Sequence, residues 1–136
     1  MGAMVRSAAA FGADALIALP GCADIWSAKT IRGSAGACFR VQSARAEACE
    51  VFEFLQGRRV ATYALDASGS VELGDCDLSG ACAIIVGSEG GGLSEGMRTA
   101  VERTVRIPMK ESLESLNAAV AAAIALYTAS IQRARK

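Results

Sequence analysis

The sequence contains no histidine. That removes every arrangement in which an imidazole takes a proton from serine or cysteine. Five cysteines are present, Cys22, Cys38, Cys49, Cys76 and Cys82, an odd number with no C-x-x-C spacing. A zinc site would need four thiolates with no recognisable pairing, so no metal is expected. Small apolar thiols scattered along a chain suit a reducing compartment, and a cytoplasmic location is expected. Aromatic residues make up only 5%, so the core has to be built from aliphatic side chains and alanine. The formal net charge is zero, which argues against a globally basic nucleic-acid binder. No apolar run reaches membrane-spanning length. Arg6, an apolar stretch and Leu19-Pro20-Gly21-Cys22 have the outline of a lipoprotein leader, but Asp14 interrupts the apolar part. Helix, glycine and strand account for the same residues.

What is present is 136 residues, 52% hydrophobic and 21% charged. That is enough for one real core, and a single domain is expected over 1–136. The charge is uneven. Residues 1–45 carry five Lys or Arg against two Asp; 46–95 carry two Arg against nine acids; 96–136 carry seven Lys or Arg against three acids. If the two ends of the chain meet, they form a basic face. Solvated helix faces account for the same charges.

Periodicity predicts helices over Ala3–Phe11, stopped at Gly12, and over Ala46–Leu55, where Ala48, Val51, Phe52 and Leu55 share a stripe. A helical turn or short helix is expected over Ile25–Ile31, a helix over Ser94–Glu102, and a closing alanine-rich one over Leu116–Arg133. Strands are expected at Ala15–Leu19, Cys38–Val41, Val60–Leu65, Ala83–Val86 and Thr104–Ile107, with Val71–Gly80 acidic and irregular. This order gives an α/β fold with a mostly parallel sheet flanked by helices.

Chemistry concentrates in the last third. The strand Ala83–Val86 runs into Gly87-Ser88-Glu89-Gly90-Gly91-Gly92, the strand Thr104–Ile107 ends at Pro108-Met109, and Ser115-Leu116-Asn117 opens the last helix. Loops at strand carboxyl ends are where open α/β sheets bind ligands. The glycine loop lacks the lysine of a phosphate loop, since Leu93 follows Gly92, and Glu89 would repel a phosphate. Such a loop is otherwise a turn, Pro108 a strand terminator, and Ser115 or Asn117 a helix cap. Arg6 is one long cation on a helix of small residues, either a surface arginine or a site residue.

Three ordered stretches carry a resemblance. Gly2-Ala3-Met4-Val5-Arg6-Ser7-Ala8-Ala9-Ala10-Phe11-Gly12 is similar to N-x-G-x-x-x-R-x-A-x-x-F-G. GSEGGGL (Gly87 to Leu93), IPM (Ile107 to Met109) and the segment around Ser115-Leu116-Asn117 look like two further motifs of the same family. That family is the SpoU family of RNA ribose 2′-O-methyltransferases, in the SPOUT superfamily, and Lys29 to Val41 resembles its rRNA-modifying members. The asparagine of the first motif would precede Met1, as would the strand leading into it, so an N-terminal truncation is expected.

The resemblance implies a deep C-terminal trefoil knot, threaded over roughly Gly87 to Asn117, and a homodimer. It implies S-adenosylmethionine as cofactor, held around Leu65, Gly87, Gly90, Ile107, Met109 and Leu116. Arg6, Ser115 and Asn117 would form the catalytic centre, with Glu89 one candidate to receive the proton. A guanidinium is a poor base, so Arg6 is expected to fix an RNA phosphate and stabilise a developing alkoxide. The implied reaction is methyl transfer to a ribose 2′-hydroxyl of rRNA or, less favoured, tRNA. A non-catalytic cofactor- or RNA-binding remnant and a base-modifying relative are the alternatives.

Overall fold

The computed structural model describes residues 1–88, 90–110 and 115–135. Helix α1 (Gly2–Ala10) buries Val5 and Ala8, and Gly12, at φ +71°, turns the chain into strand β1 (Ala15–Ala18). Helix α2 (Ala28–Gly33) starts later than the apolar pattern implies. Its cap is Ser27, whose hydroxyl accepts from Thr30 N at 3.2 Å.

The expected strand Cys38–Val41 is not a strand. Gly36, at φ +79°, winds the chain into a 3-10 turn over Ala37–Phe39, and pairing begins only at β2 (Gln42–Arg45). Cys38 and Val41 are buried three residues apart, the spacing of a turn.

Helix α3 (Ala48–Gly57) is opened by a reciprocal capping box between Glu47 and Glu50. Strand β3 (Ala61–Leu65) follows. The acidic stretch expected to be irregular contains a two-residue strand, β4 (Val71–Glu72), and a 3-10 turn, Leu73–Asp75. Strand β5 (Cys82–Val86), helix α4 (Glu95–Ala100), strand β6 (Arg103–Arg106) and helix α5 (Ala118–Ala134) complete the chain.

Among the described residues the six strands pair only in parallel. β1 pairs with β2, and a second sheet has the order β4-β6-β3-β5. Each sheet has its own core. Tyr63, Leu73, Cys76, Leu78 and Val105 form one with Ala125 and Ala129 of α5. Val5, Ala8, Ala18, Ile25, Cys38 and Val41 form the other, with Leu126 of α5 packed against it. Helix α5 thus serves both cores, and its alanines let it lie close to each. Its far end is pinned by Gln132, which accepts from Leu78 N at 2.7 Å and donates to Cys76 O at 3.0 Å.

The two ends of the chain do meet, because α1 packs on α5. Arg133 nevertheless turns inward, donating to Gly80 O at 3.1 Å, and adds nothing to a solvated basic face. All five cysteines are free thiols. No helix among the described residues is long and apolar enough to cross a membrane.

Candidate active site at the strand carboxyl ends

Strand β3 lies between β5 and β6, and its last residue, Leu65, stands opposite both Val86 and Val105. The chain leaves all three parallel strands at the same edge. Gly87 emerges on one side of Asp66 and Ile107 on the other. Leu65 and Ile107 are half-buried against the core that contains Val105. Three of the residues expected at a ligand site, Leu65, Gly87 and Ile107, are therefore side by side. Met109 is half-buried just beyond, and Pro108 is exposed.

The glycine loop folds back on itself. Ser88 and Gly92 exchange both backbone hydrogen bonds, at 3.0 and 2.9 Å, and the Ser88 hydroxyl accepts from Gly91 N at 3.2 Å. A Cβ on Gly87 would sit 2.6 Å from the Gly92 carbonyl oxygen and 2.8 Å from Leu93 N. Gly87 is thus required by the loop itself, before any ligand is considered. Gly90, at the exposed tip, has open space around it, and Glu89 lies outside the described residues.

Sequence reasoning missed a brace across this edge. The buried Asp66 carboxylate accepts from Ser68 N at 2.9 Å and Ser68 Oγ at 2.7 Å, and pairs with Arg98 of α4 at 2.5 Å. It ties the loop after β3 to the helix that follows the glycine loop. Burial alone would raise the Asp66 pKa, but the two Ser68 bonds and the Arg98 charge outweigh it and hold the carboxyl below its ordinary value. The only available signal was Asp66-Ala67-Ser68-Gly69, an aspartate two residues ahead of a serine, which reads as a turn.

A depressed carboxylate pKa stabilises the fold above the unfolded-state value, and that stability is lost as pH falls through the folded value. Asp66→Asn should therefore melt below the parent at neutral pH, and the gap should close as the pH drops below the usual carboxylate range. A gap that is the same at every pH in thermal melts would show that the ion pair is not its source.

Ser115 is exposed and Leu116 half-buried ahead of α5. Of the two candidate caps, Asn117 is the one used. Its Oδ1 accepts from Ala119 N at 3.0 Å and Val120 N at 3.3 Å. Residues 111–114 lie outside the described residues. Asn117 also lines a groove of about 440 Å³ between α5 and the Ala3–Ser7 face of α1. Arg6 stands on α1 between those two residues, exposed, with no ion pair or hydrogen bond to any described residue. A second depression, about 550 Å³ against Glu50, Glu53, Phe54, Gly57 and Arg58, is lined by α3 and its C-cap and by none of the expected site residues.

The model of the SpoU rRNA Methylase family matches residues 1–127. The chain belongs to the SpoU family. The match runs from the arginine-bearing first helix through the glycine loop into α5, so it embraces all three motifs that carried the resemblance. This SpoU chain is 38% identical over 139 residues to a 23S rRNA (uridine(2479)-2′-O)-methyltransferase of Streptomyces viridochromogenes, covering 98% of the chain and 48% of that relative. The SpoU methyltransferase AviRb of the same organism, solved in complex with AdoMet, superposes with a TM-score of 0.93 at 35% identity, over 99% of this chain and 56% of AviRb. A structure described as giving insights into the 2-OH methylation of C/U34 on tRNA superposes with a TM-score of 0.86 at 28% identity, over 99% of this chain and 88% of that one. The chain spans about half the length of the curated relatives it matches.

Proposed function

We propose that this chain is the catalytic domain of an S-adenosylmethionine-dependent RNA methyltransferase that modifies a ribose 2′-hydroxyl, with rRNA favoured over tRNA. The observation that carries the reading is the edge where Leu65, Gly87 and Ile107 leave adjacent parallel strands. The residues there suit an uncharged adenosine. Leu65, Ile107, Met109 and Leu116 offer half-buried apolar surface, strand-end backbone groups can read a base edge, and no lysine enters the glycine loop. Gly87 and Gly90 would let the main chain approach the ligand. When bound, the cofactor supplies an electrophilic methyl group on a sulfonium.

The rest is positioning by the chain's own side chains. Arg6 would hold an RNA phosphate and stabilise charge developing on the 2′-oxygen. Ser115 and Asn117, at the start of α5, would orient the ribose, and Glu89 is a candidate to take the proton. The threading of 87–117 as a trefoil knot is part of the same proposal. So is a homodimer, because the α1–α5 groove is lined by Val120, Ile124 and Tyr127, of which Val120 and Tyr127 are about half exposed. A helix apolar over more than one face needs a second partner.

The test is transfer of labelled methyl groups to rRNA and tRNA by the chain alone and by the chain with an asparagine-bearing strand of the SpoU first motif fused ahead of Met1. The product should resist alkaline cleavage at the modified nucleotide, and the active species should sediment as a dimer. A methylated base with an unmodified ribose would overturn the reaction, and cofactor binding without transfer in either form would favour a non-catalytic remnant. An active monomer would remove the partner chain from the reading.

A further inference from the structure

The chain has seven aromatic residues, and besides the Phe11–Tyr127 pair at the end of α1 and on α5, Trp26 and Phe39 meet on the surface. Trp26 is 52% exposed and Phe39 73% exposed, with ring centroids 6.0 Å apart and planes inclined at 45°. The backbone that carries Trp26 is fixed by a turn. Trp26 N donates to Asp24 Oδ1 at 3.0 Å, and the Asp24 carbonyl accepts from Ser27 Oγ at 3.0 Å and Thr30 Oγ1 at 2.8 Å. The residue before each ring is a buried anchor: Ile25 is 2% exposed and Cys38 1% exposed. Two large apolar faces thus point outward from a ledge whose neighbouring residues, Ile25 and Cys38, are anchored in the core.

Cations are close in sequence to both rings of the pair. Lys29 and Arg32 lie on α2 and Arg40 follows Phe39; all three are exposed and none forms an ion pair with a described residue. Asp24, the acid nearby, spends its carboxylate on the turn. The ledge packs against α1, where Val5 shares a core with Ile25 and Cys38, and a Cβ on Gly2 would lie 2.9 Å from Thr30 O. Arg6 is the next residue along that helix.

We propose that Trp26 and Phe39 form a stacking platform for unpaired RNA bases flanking the target nucleotide, with Lys29, Arg32 and Arg40 holding the adjoining phosphates. Every base has a π-face, and splayed aromatic rings beside cations are how single-stranded RNA is gripped. A flat apolar protein interface would not need three unpaired cations around it. The proposal rests on the RNA reading above.

Trp26 is the chain's one tryptophan, so its fluorescence reports the platform directly. A single-stranded oligoribonucleotide of about ten nucleotides should quench it, and an abasic oligomer of the same length should not. Trp26→Leu and Phe39→Leu should each weaken binding of the base-bearing oligomer about tenfold while leaving its salt dependence and S-adenosylmethionine affinity unchanged. Arg40→Gln should instead lower the slope of log K against log salt by about 0.7. Unquenched fluorescence on binding, equal affinity of both leucine variants, or a change of sedimentation rather than of RNA affinity in Trp26→Leu would each overturn the platform. If the variants also methylate RNA as well as the parent, the functional reading stands without it. A parent that binds no RNA by any readout overturns both.

Discussion

Arg6→Ala should leave cofactor affinity nearly unchanged and lower methyl transfer to RNA by on the order of 10²–10³. The two effects separate because Arg6 belongs to α1, whereas the residues proposed to hold the cofactor lie at the ends of β3, β5 and β6 and ahead of α5. The substitution is also clean for the fold. Val5 and Ala8 are the buried residues of α1, and Arg6 is exposed. An exposed change of this kind usually costs within about 0.5 kcal/mol. Arg6→Lys should recover little activity, since a point charge does not reproduce a planar two-pronged grip on a phosphate. The assay belongs on whichever form, the chain alone or the fused one, transfers methyl groups. Parental turnover by Arg6→Ala would take Arg6 out of the mechanism.

Gly87→Val should abolish cofactor binding measured by calorimetry, for a reason other than the one the sequence offers. A cofactor held around Gly87 would by itself leave no room for a bulky side chain. In the structure the Cβ meets the Gly92 carbonyl and Leu93 N first. The two Ser88–Gly92 hydrogen bonds must open to admit it, at about 1 kcal/mol each, and crowding adds about 1–3 kcal/mol. Gly87→Ala should therefore already weaken binding and lower the melting temperature, which a purely ligand-filling residue would not do. Gly90→Ala, with open space around it, should keep the parental melting temperature. Tight binding by Gly87→Val would rule out this loop as part of the pocket.

The parts of the fold that were legible are those whose burial repeats at short range. Strands β3, β5 and β6 and helices α1 and α3 announce themselves through apolar runs or stripes, and each lies within two or three residues of where the pattern puts it. Strand β2 does not, because Gln42-Ser43-Ala44-Arg45 is largely exposed and has no apolar alternation. The buried Cys38 and Val41 beside it drew the strand assignment onto the turn. Strand β4 is two residues long and exists because β6 offers it an edge; Arg106 then pairs with Glu72 at 2.8 Å. Nothing local encodes that meeting.

The site divides the same way. Motif resemblance pointed to Leu65, Gly87 and Ile107, and strand register puts them side by side. Asp66 and Arg98 are 32 positions apart and come together only through the order of strands. Whether Ser115 or Asn117 caps α5 depends on where the helix starts, and a shift of two residues decides it.

The position of β3 has a consequence for how the molecule is assembled. Its partners on the two sides, β5 and β6, lie later in the chain, and the core over its face is closed by Ala125 and Ala129, near the end of the chain. During synthesis, then, a ribosome has to release almost the whole domain before β3 can have both neighbours and its lid. Contacts this distant in sequence are slow to form and leave apolar strand surface waiting in the meantime. Nascent chains halted before α5 should accordingly be clients for chaperones, with Leu65 and Ile107 among the surfaces such helpers would meet.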